Sequence, residues 1–326
     1  MTERRGDIFT KQTESIRFHV SRDEVRWHDR FNKPEGTKAA VIDFGCGVQF
    51  VPHLMIETIA VCEILGVDVE GVVGPEYCCG MPYRDGNETS ASADNMADAS
   101  FKRMAALHPL QMVQWCGGAL VQFHRRAEGT GSTEVLMIPE MLGRRIAELG
   151  DRVPWKKRVE ARVLLHKKPN DPMVFKDRGP VMRAYDEYVP PILERIPGLQ
   201  VVGELRTLPS GLPCENRIDY SDEEKLRIAR AELRMAVDDA FADRLVTDHH
   251  QCVREWGKLA TPEVPVQQYI SVLAEALGVA QPNRVQAHQR TRDLDALVAE
   301  ARPQWSSWDM SRDEAAEIGA ELYRLR

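Results

Sequence analysis

The sequence predicts an α/β protein of two pseudo-repeated halves, each an open parallel sheet with helices on both faces, with a site in the cleft between them. Three observations predict it. Short apolar runs alternate with longer amphipathic stretches, an order that implies parallel pairing through crossover helices. The order of elements in the first half recurs in the second. Cysteines cluster just after the apolar runs, at the carboxyl edge where open α/β sheets build their sites. The 326 residues, 43% hydrophobic and 29% charged, are enough for one large or two ordinary domains with ample core.

Residues 1–37 are polar, lack sustained apolar periodicity and read as an N-terminal extension; Trp27 and Phe31, four apart, would suit a short docking helix. The first half spans 38–160. Its opening apolar run, 39–44, is a predicted strand that ends in Gly45-Cys46-Gly47. The spacing predicts a helix over 56–65, stopped by Gly66. A strand over 67–73 leads into Gly74-Pro75-Glu76-Tyr77-Cys78-Cys79-Gly80. A helix over 91–107 precedes a strand over 110–115 that ends at Cys116-Gly117-Gly118, and a strand over 134–138 with a helix over 139–149 completes the half.

The second half, 161–280, repeats the order. A strand over 161–165 ends at His166, and Pro190-Pro191 predict an interruption in the helix over 180–196. A strand over 200–205 leads to a loop with Cys214, and a long helix covers 222–242. The strand 244–247 runs into Asp248-His249-His250-Gln251-Cys252, and a helix over 266–277 ends at Gly278. Between Cys79 and Cys116 lie 36 residues, and between Cys214 and Cys252 lie 37, which argues for internal duplication. Residues 281–326, polar with Trp305, Trp308 and a short final helix, read as a C-terminal tail or docking arm.

Charge and cysteine content narrow the chemistry. A net charge of −7 without a basic block argues against nucleic acid as a partner. No apolar stretch reaches the roughly 18 residues of a membrane span and no signal peptide opens the sequence, so the expected location is the cytoplasm. Seven cysteines are odd in number and sparse for a secreted disulfide scaffold; in a reducing compartment such thiols bind metal or do redox chemistry. Adjacent side chains of an extended segment diverge, so Cys78-Cys79, held between glycine and proline, reads as a tight loop aiming both sulfurs at one object. Cys46, Cys78, Cys79 and Cys116 are the predicted metal or iron–sulfur ligands, with Gly45, Gly80 and Gly117 letting backbone approach the bound group. A second, mixed set is Cys214, His249 and Cys252, with His250 adjacent and His166 as a weaker candidate. Cys62 lies on an apolar helix face and reads as core, and His124 reads as structural. Four thiolates suit closed tetrahedral zinc as well as an iron–sulfur cluster, and both stay open. The sequence has no phosphate-binding glycine loop and no Gly-x-Ser-x-Gly elbow, so neither a nucleotide nor a flavin is expected on this chain alone.

The order Cys46, Cys78-Cys79-Gly80, Cys116 resembles the cysteine-rich "CCG" domain found in the CCG-domain subunit of heterodisulfide reductase and in its relatives, over about residues 38–280. The family pattern is Cys, then Cys-Cys-Gly, then Cys-x-x-Cys, usually in two copies. Relatives with complete motifs hold a non-cubane [4Fe-4S] cluster of two fused smaller units that reductively cleaves disulfides. The likeness implies an oxidoreductase subunit in sulfur metabolism, fed with electrons by a flavin subunit and a ferredoxin-like subunit, with a small disulfide, thiol or other sulfur-bearing substrate. This chain departs from the pattern: Ala119 stands at the last cysteine of the first copy. In the second copy the first cysteine is missing near His166-Lys167-Lys168, Cys-Cys-Gly is reduced to Pro213-Cys214-Glu215, and Cys-x-x-Cys is His249-His250-Gln251-Cys252. Two other functions are expected to compete: a zinc-bound scaffold subunit of such a complex, and an iron–sulfur subunit of a flavin-dependent hydroxy-acid oxidising enzyme.

Overall fold

The computed structural model describes residues 7–25, 38–81, 91–128, 133–168, 179–211, 214 and 223–325. Trp27, Phe31, Pro213 and Glu215 lie outside them. The chain opens with α1 (Asp7–His19). The first half then runs β1 (Ala40–Asp43), α2 (His53–Ile64), β2 (Val69–Val72), α3 (Ala91–Ala105), β3 (Gln111–Gln114), α4 (Gly117–Ala127), β4 (Glu134–Met137) and α5 (Ile138–Leu149). The second runs β5 (Ala161–His166), α6 (Gly179–Glu194), β6 (Leu199–Leu205), α7 (Glu223–Asp239), β7 (Arg244–Thr247), α8 (His250–Trp256), β8 (Val266–Gln268) and α9 (Tyr269–Leu277). Four helices follow: α10 (Arg284–His288), α11 (Leu294–Glu300), α12 (Arg302–Ser306) and α13 (Arg312–Tyr323).

Each half is a four-stranded, all-parallel sheet, and the strand orders correspond: β2-β1-β3-β4 and β6-β5-β7-β8. The central strands are buried on both faces, as parallel sheets covered by helices must be; every residue of β1 is buried, and all of β5 but Arg162. The halves pack by exchanging equivalent contacts. Helix α5 of the first half packs on α6 of the second, and α9, the counterpart of α5, packs on α2, the counterpart of α6. One apolar core runs through both halves, joining Ile42, Leu54 and Leu142 to Val163, Val189 and Leu273.

Two expectations need correction. Helix α6 passes through Pro190 and Pro191 without a break. The prolines fall in its last turns, and Val189, Ile192 and Leu193 anchor that stretch in the core. The helix expected over 266–277 begins only at Tyr269, because Val266–Gln268 pairs in parallel with β7 as the fourth strand. The segment 281–325 packs against α1. With α1 it builds a separate apolar cluster of Phe18, Leu297, Val298, Ala301, Trp305, Ala315 and Tyr323, tied by Trp308 Nε1 donating to Val20 O at 2.9 Å and by Arg284–Glu24. The buried face of α1 includes Gln12, Ser15 and His19 beside Ile16 and Phe18, so its apolar period is too weak to stand out in the sequence.

Candidate metal centre

All three cysteine-bearing turns of the first half lie at the carboxyl edge of its sheet. After β1, Asp43 Oδ1 accepts from Gly45 N–H at 2.8 Å, closing a turn in which Gly45 takes φ +61° and presents Cys46. After β2, a short 3-10 turn at Pro75–Tyr77 leads to Cys78 and Cys79. Helix α3 holds that turn: Ser100 Oγ donates to Cys78 O at 2.8 Å and Arg103 to Glu76 O at 2.9 Å. After β3, Cys116 stands at the N-cap of α4. The four cysteines line one small hollow, a cavity of only about 10 Å³, with Phe9, Asp43, Gly45, Gln49, Gly74 and Tyr77.

Helix α1 walls this hollow through Phe9, and Gln12 Nε2 donates to Cys46 O at 2.8 Å. Neither residue carries a sequence signal for the site. No described residue of the second half lines it, though Lys168 and Tyr185 of that half lie near enough to Cys116 to interact with its charge. Cys79 also packs among Val41, Val72, Ala97 and Ala119. The glycines have mixed reasons. A Cβ at Gly45 would sit 3.2 Å from that of Cys116, inside the site. Gly80 (φ +77°) is required where the turn meets the Ala93 backbone, and Gly117 where α4 abuts Val181 of α6; both are packing demands rather than room for a bound group.

Electrostatics follow from burial. Desolvation pushes the Cys46 and Cys116 thiols up, while the amides of Ala119 and Gly118 favour the Cys116 thiolate. Cys78 is drawn down by its hydrogen bond with Cys79 and by the Gly80 N–H at 3.4 Å, and Cys79 is pushed up in turn. Burial lifts Asp43 to about 7. Asp43 Oδ2, both amide atoms of Gln114 and Trp115 Nε1 are buried at this edge without hydrogen-bond partners. Such a concentration is unusual in a folded interior and suits an edge that receives a polar or metallic group.

The second half brings together a different trio from the one expected. His166, Cys214 and Cys252 are buried, and their ligand atoms all lie within 4.8 Å of one another, a group that could hold a metal ion. His249 is engaged elsewhere: its Nδ1 accepts from Gln251 N–H at 3.2 Å as the N-cap of α8. His166 enters instead because β5 ends on it. The hydrogen bond with Cys252, together with the nearby His166 ring and the Lys168 charge, draws Cys214 down to about 6, whereas burial raises Cys252. Asp248, raised by burial to about 7, accepts from Lys168 N–H at 3.1 Å. His250 links the two regions. It lies against Gly47, where a Cβ would collide with its Nε2, and meets Trp115 edge-on at 6.1 Å. Cys62 is fully buried core, and His124 pairs with Glu128 on the surface.

No family model matches the chain, and no curated protein matches it. Among solved structures it is similar to Picrophilus torridus aspartate racemase at 12% identity and a TM-score of 0.33, over 84% of this chain and 100% of that one. It is also similar to AraP, an arabinose-binding protein from Geobacillus stearothermophilus, at 12% identity and a TM-score of 0.25, over 72% and 74% of the two chains. Likeness this distant carries no argument about function. Among the described residues no helix is long and apolar enough to cross a membrane.

Proposed function

We propose that the chain is an iron–sulfur subunit of heterodisulfide-reductase type, working in electron transfer or thiol–disulfide chemistry with a flavin subunit and a ferredoxin-like subunit. The observation that carries this reading is the hollow shared by Cys46, Cys78, Cys79 and Cys116. Among the described residues the only trio of ligand atoms drawn within 4.8 Å lies in the other half, so no three of these four sulfurs converge, although Cys78 and Cys79 touch. Two thiolates on one zinc ion sit at most about 4.6 Å apart, given a Zn–S bond of about 2.3 Å. A cluster instead offers each thiolate its own iron, so four cysteines of which no three converge suit it better than a single ion. The residues present therefore fit the group: Cys46, Cys78, Cys79 and Cys116 would hold it.

Once bound, a cluster supplies one-electron storage and a soft site for sulfur. The chain's own residues do the rest. The Gly80 N–H supports the Cys78 sulfur, the amides at the start of α4 favour a thiolate at Cys116, and Phe9 on α1 shields one side from water. Asp43, lifted to about 7 by burial, can hold a proton at the edge of the same hollow. The test is iron and acid-labile sulfide analysis with electron paramagnetic resonance on anaerobically purified protein. Several irons and sulfides per chain, lost on Cys78→Ser with Cys79→Ser, are expected. Absence of both iron and sulfide would sink the proposal and leave a scaffold.

A further inference from the structure

We infer that His166, Cys214 and Cys252 form a second, mononuclear centre that takes one divalent ion of zinc's class, independently of what the four-cysteine hollow binds. The three ligands come from three successive strand ends on one sheet edge: the last residue of β5, the turn after β6 and the first turn of α8 after β7. Their ligand atoms are already drawn within 4.8 Å, close to the limit of about 4.6 Å for two thiolates on one zinc ion. Neither cysteine has measurable exposure, nor has the histidine.

The histidine is prepared as a ligand. Its Nδ1 bonds the Leu205 carbonyl at 2.9 Å, so Nδ1 carries the hydrogen and Nε2 keeps its lone pair. That buried Nε2 has no hydrogen-bond partner. A backbone carbonyl behind a metal-binding imidazole is the usual way such a ring is oriented. Trp256 stacks on the ring with centroids 3.9 Å apart, fixing its tilt. Charge points to a dication. Two buried thiolates would be costly alone, whereas two thiolates, one neutral imidazole and one divalent ion sum to zero. The step balances as M²⁺ plus two Cys–SH giving the dithiolate complex and two protons, with no oxidant or reductant. A Cys₂His donor set suits zinc, which keeps a further position for another donor.

The probe is cobalt(II), titrated into reduced, metal-free full-length protein and read by thiolate-to-cobalt charge-transfer and ligand-field absorption. One equivalent with a tetrahedral spectrum is expected, kept in the Cys78→Ser/Cys79→Ser variant and lost in Cys214→Ser and Cys252→Ser. X-ray absorption of the zinc-loaded wild type gives an answer without variants: two sulfurs with at least one nitrogen are expected. A site of four sulfurs, or a cobalt band lost with Cys78 and Cys79 instead, would move the ion to the first half and overturn the inference. So would failure to bind metal, with Cys214 and Cys252 forming a disulfide under mild oxidation. Iron and sulfide content does not enter these readouts, so this centre and the proposed cluster stand or fall separately.

Discussion

Glu57 offers a test of how the two halves are joined. It is fully buried on α2, facing α9. Its Oε2 accepts from Ser271 Oγ at 2.6 Å and its Oε1 from Gln281 N–H at 2.9 Å. These two bonds do not repay desolvation, and burial lifts its pKa from 4.5 to about 7. The folded state thus holds the Glu57 proton more tightly than the unfolded chain. Stability is greatest below pH 4.5, falls as pH rises towards 7, and then levels, by about 3 kcal/mol in all. Glu57→Gln fixes the neutral form, with its oxygen towards Gln281 N–H and its NH₂ towards the Ser271 hydroxyl. The variant should exceed the wild type by about 1 kcal/mol near pH 5 and by about 3 kcal/mol at pH 8. Urea denaturation of both proteins from pH 5 to 8 measures this. Asp43 and Asp248, which also reach about 7, cancel in the difference because both proteins carry them. A difference that stays flat across this range would refute the reasoning.

Three further expectations concern the turns that aim the cysteines. Gly80→Ala forces a left-handed φ and pushes a Cβ into the Ala93 backbone, so it should lower stability by about 2–4 kcal/mol in urea denaturation; Gly74→Ala, at φ +97° and ψ −179° with nothing within 4 Å, should lose only the strain, about 1–3 kcal/mol. Gly47→Ala drives a Cβ into the His250 ring and should destabilise by about 1–3 kcal/mol, with the chemical shifts of His250 moving and those of His124 unchanged.

What was legible in the sequence was what local pattern controls. Strands β1, β3 and β7 announce themselves as apolar runs, and the repeated strand–helix order fixes the parallel sheets. The three cysteine turns then fall on one edge by topology alone. What was not legible depends on partners distant in sequence. Helix α1 buries polar Gln12, Ser15 and His19, whose partners include Cys46 O and Tyr323, so no apolar period marks it. Strand β8 is three residues long and runs directly into α9, and so short a strand merges with the helical period that follows. His166, at a strand end, was the weaker candidate in the sequence; the folding of Cys214 and Cys252 against it puts it ahead of His249.

The equivalence of the halves explains why their sulfurs differ in arrangement. Cys116 and His249 occupy the same place, the N-cap of the helix after the third strand. Ala119 and Cys252 each lie three residues further on, one turn into that helix. The first half therefore keeps the capping sulfur and has an alanine one turn in, whereas the second caps with a histidine and keeps the sulfur one turn in. A sulfur at the cap can face outward into a hollow, as Cys116 does beside Asp43 and Cys46. A sulfur one turn in is carried towards the sheet, where the end of the central strand lies. In the first half that strand end is Asp43, with Cys46 beyond it; in the second it is His166, which meets Cys252 and Cys214 directly. One fold, with one residue exchanged at each of two helix positions, thus leaves no three sulfurs converging in one half and draws two sulfurs and an imidazole together in the other.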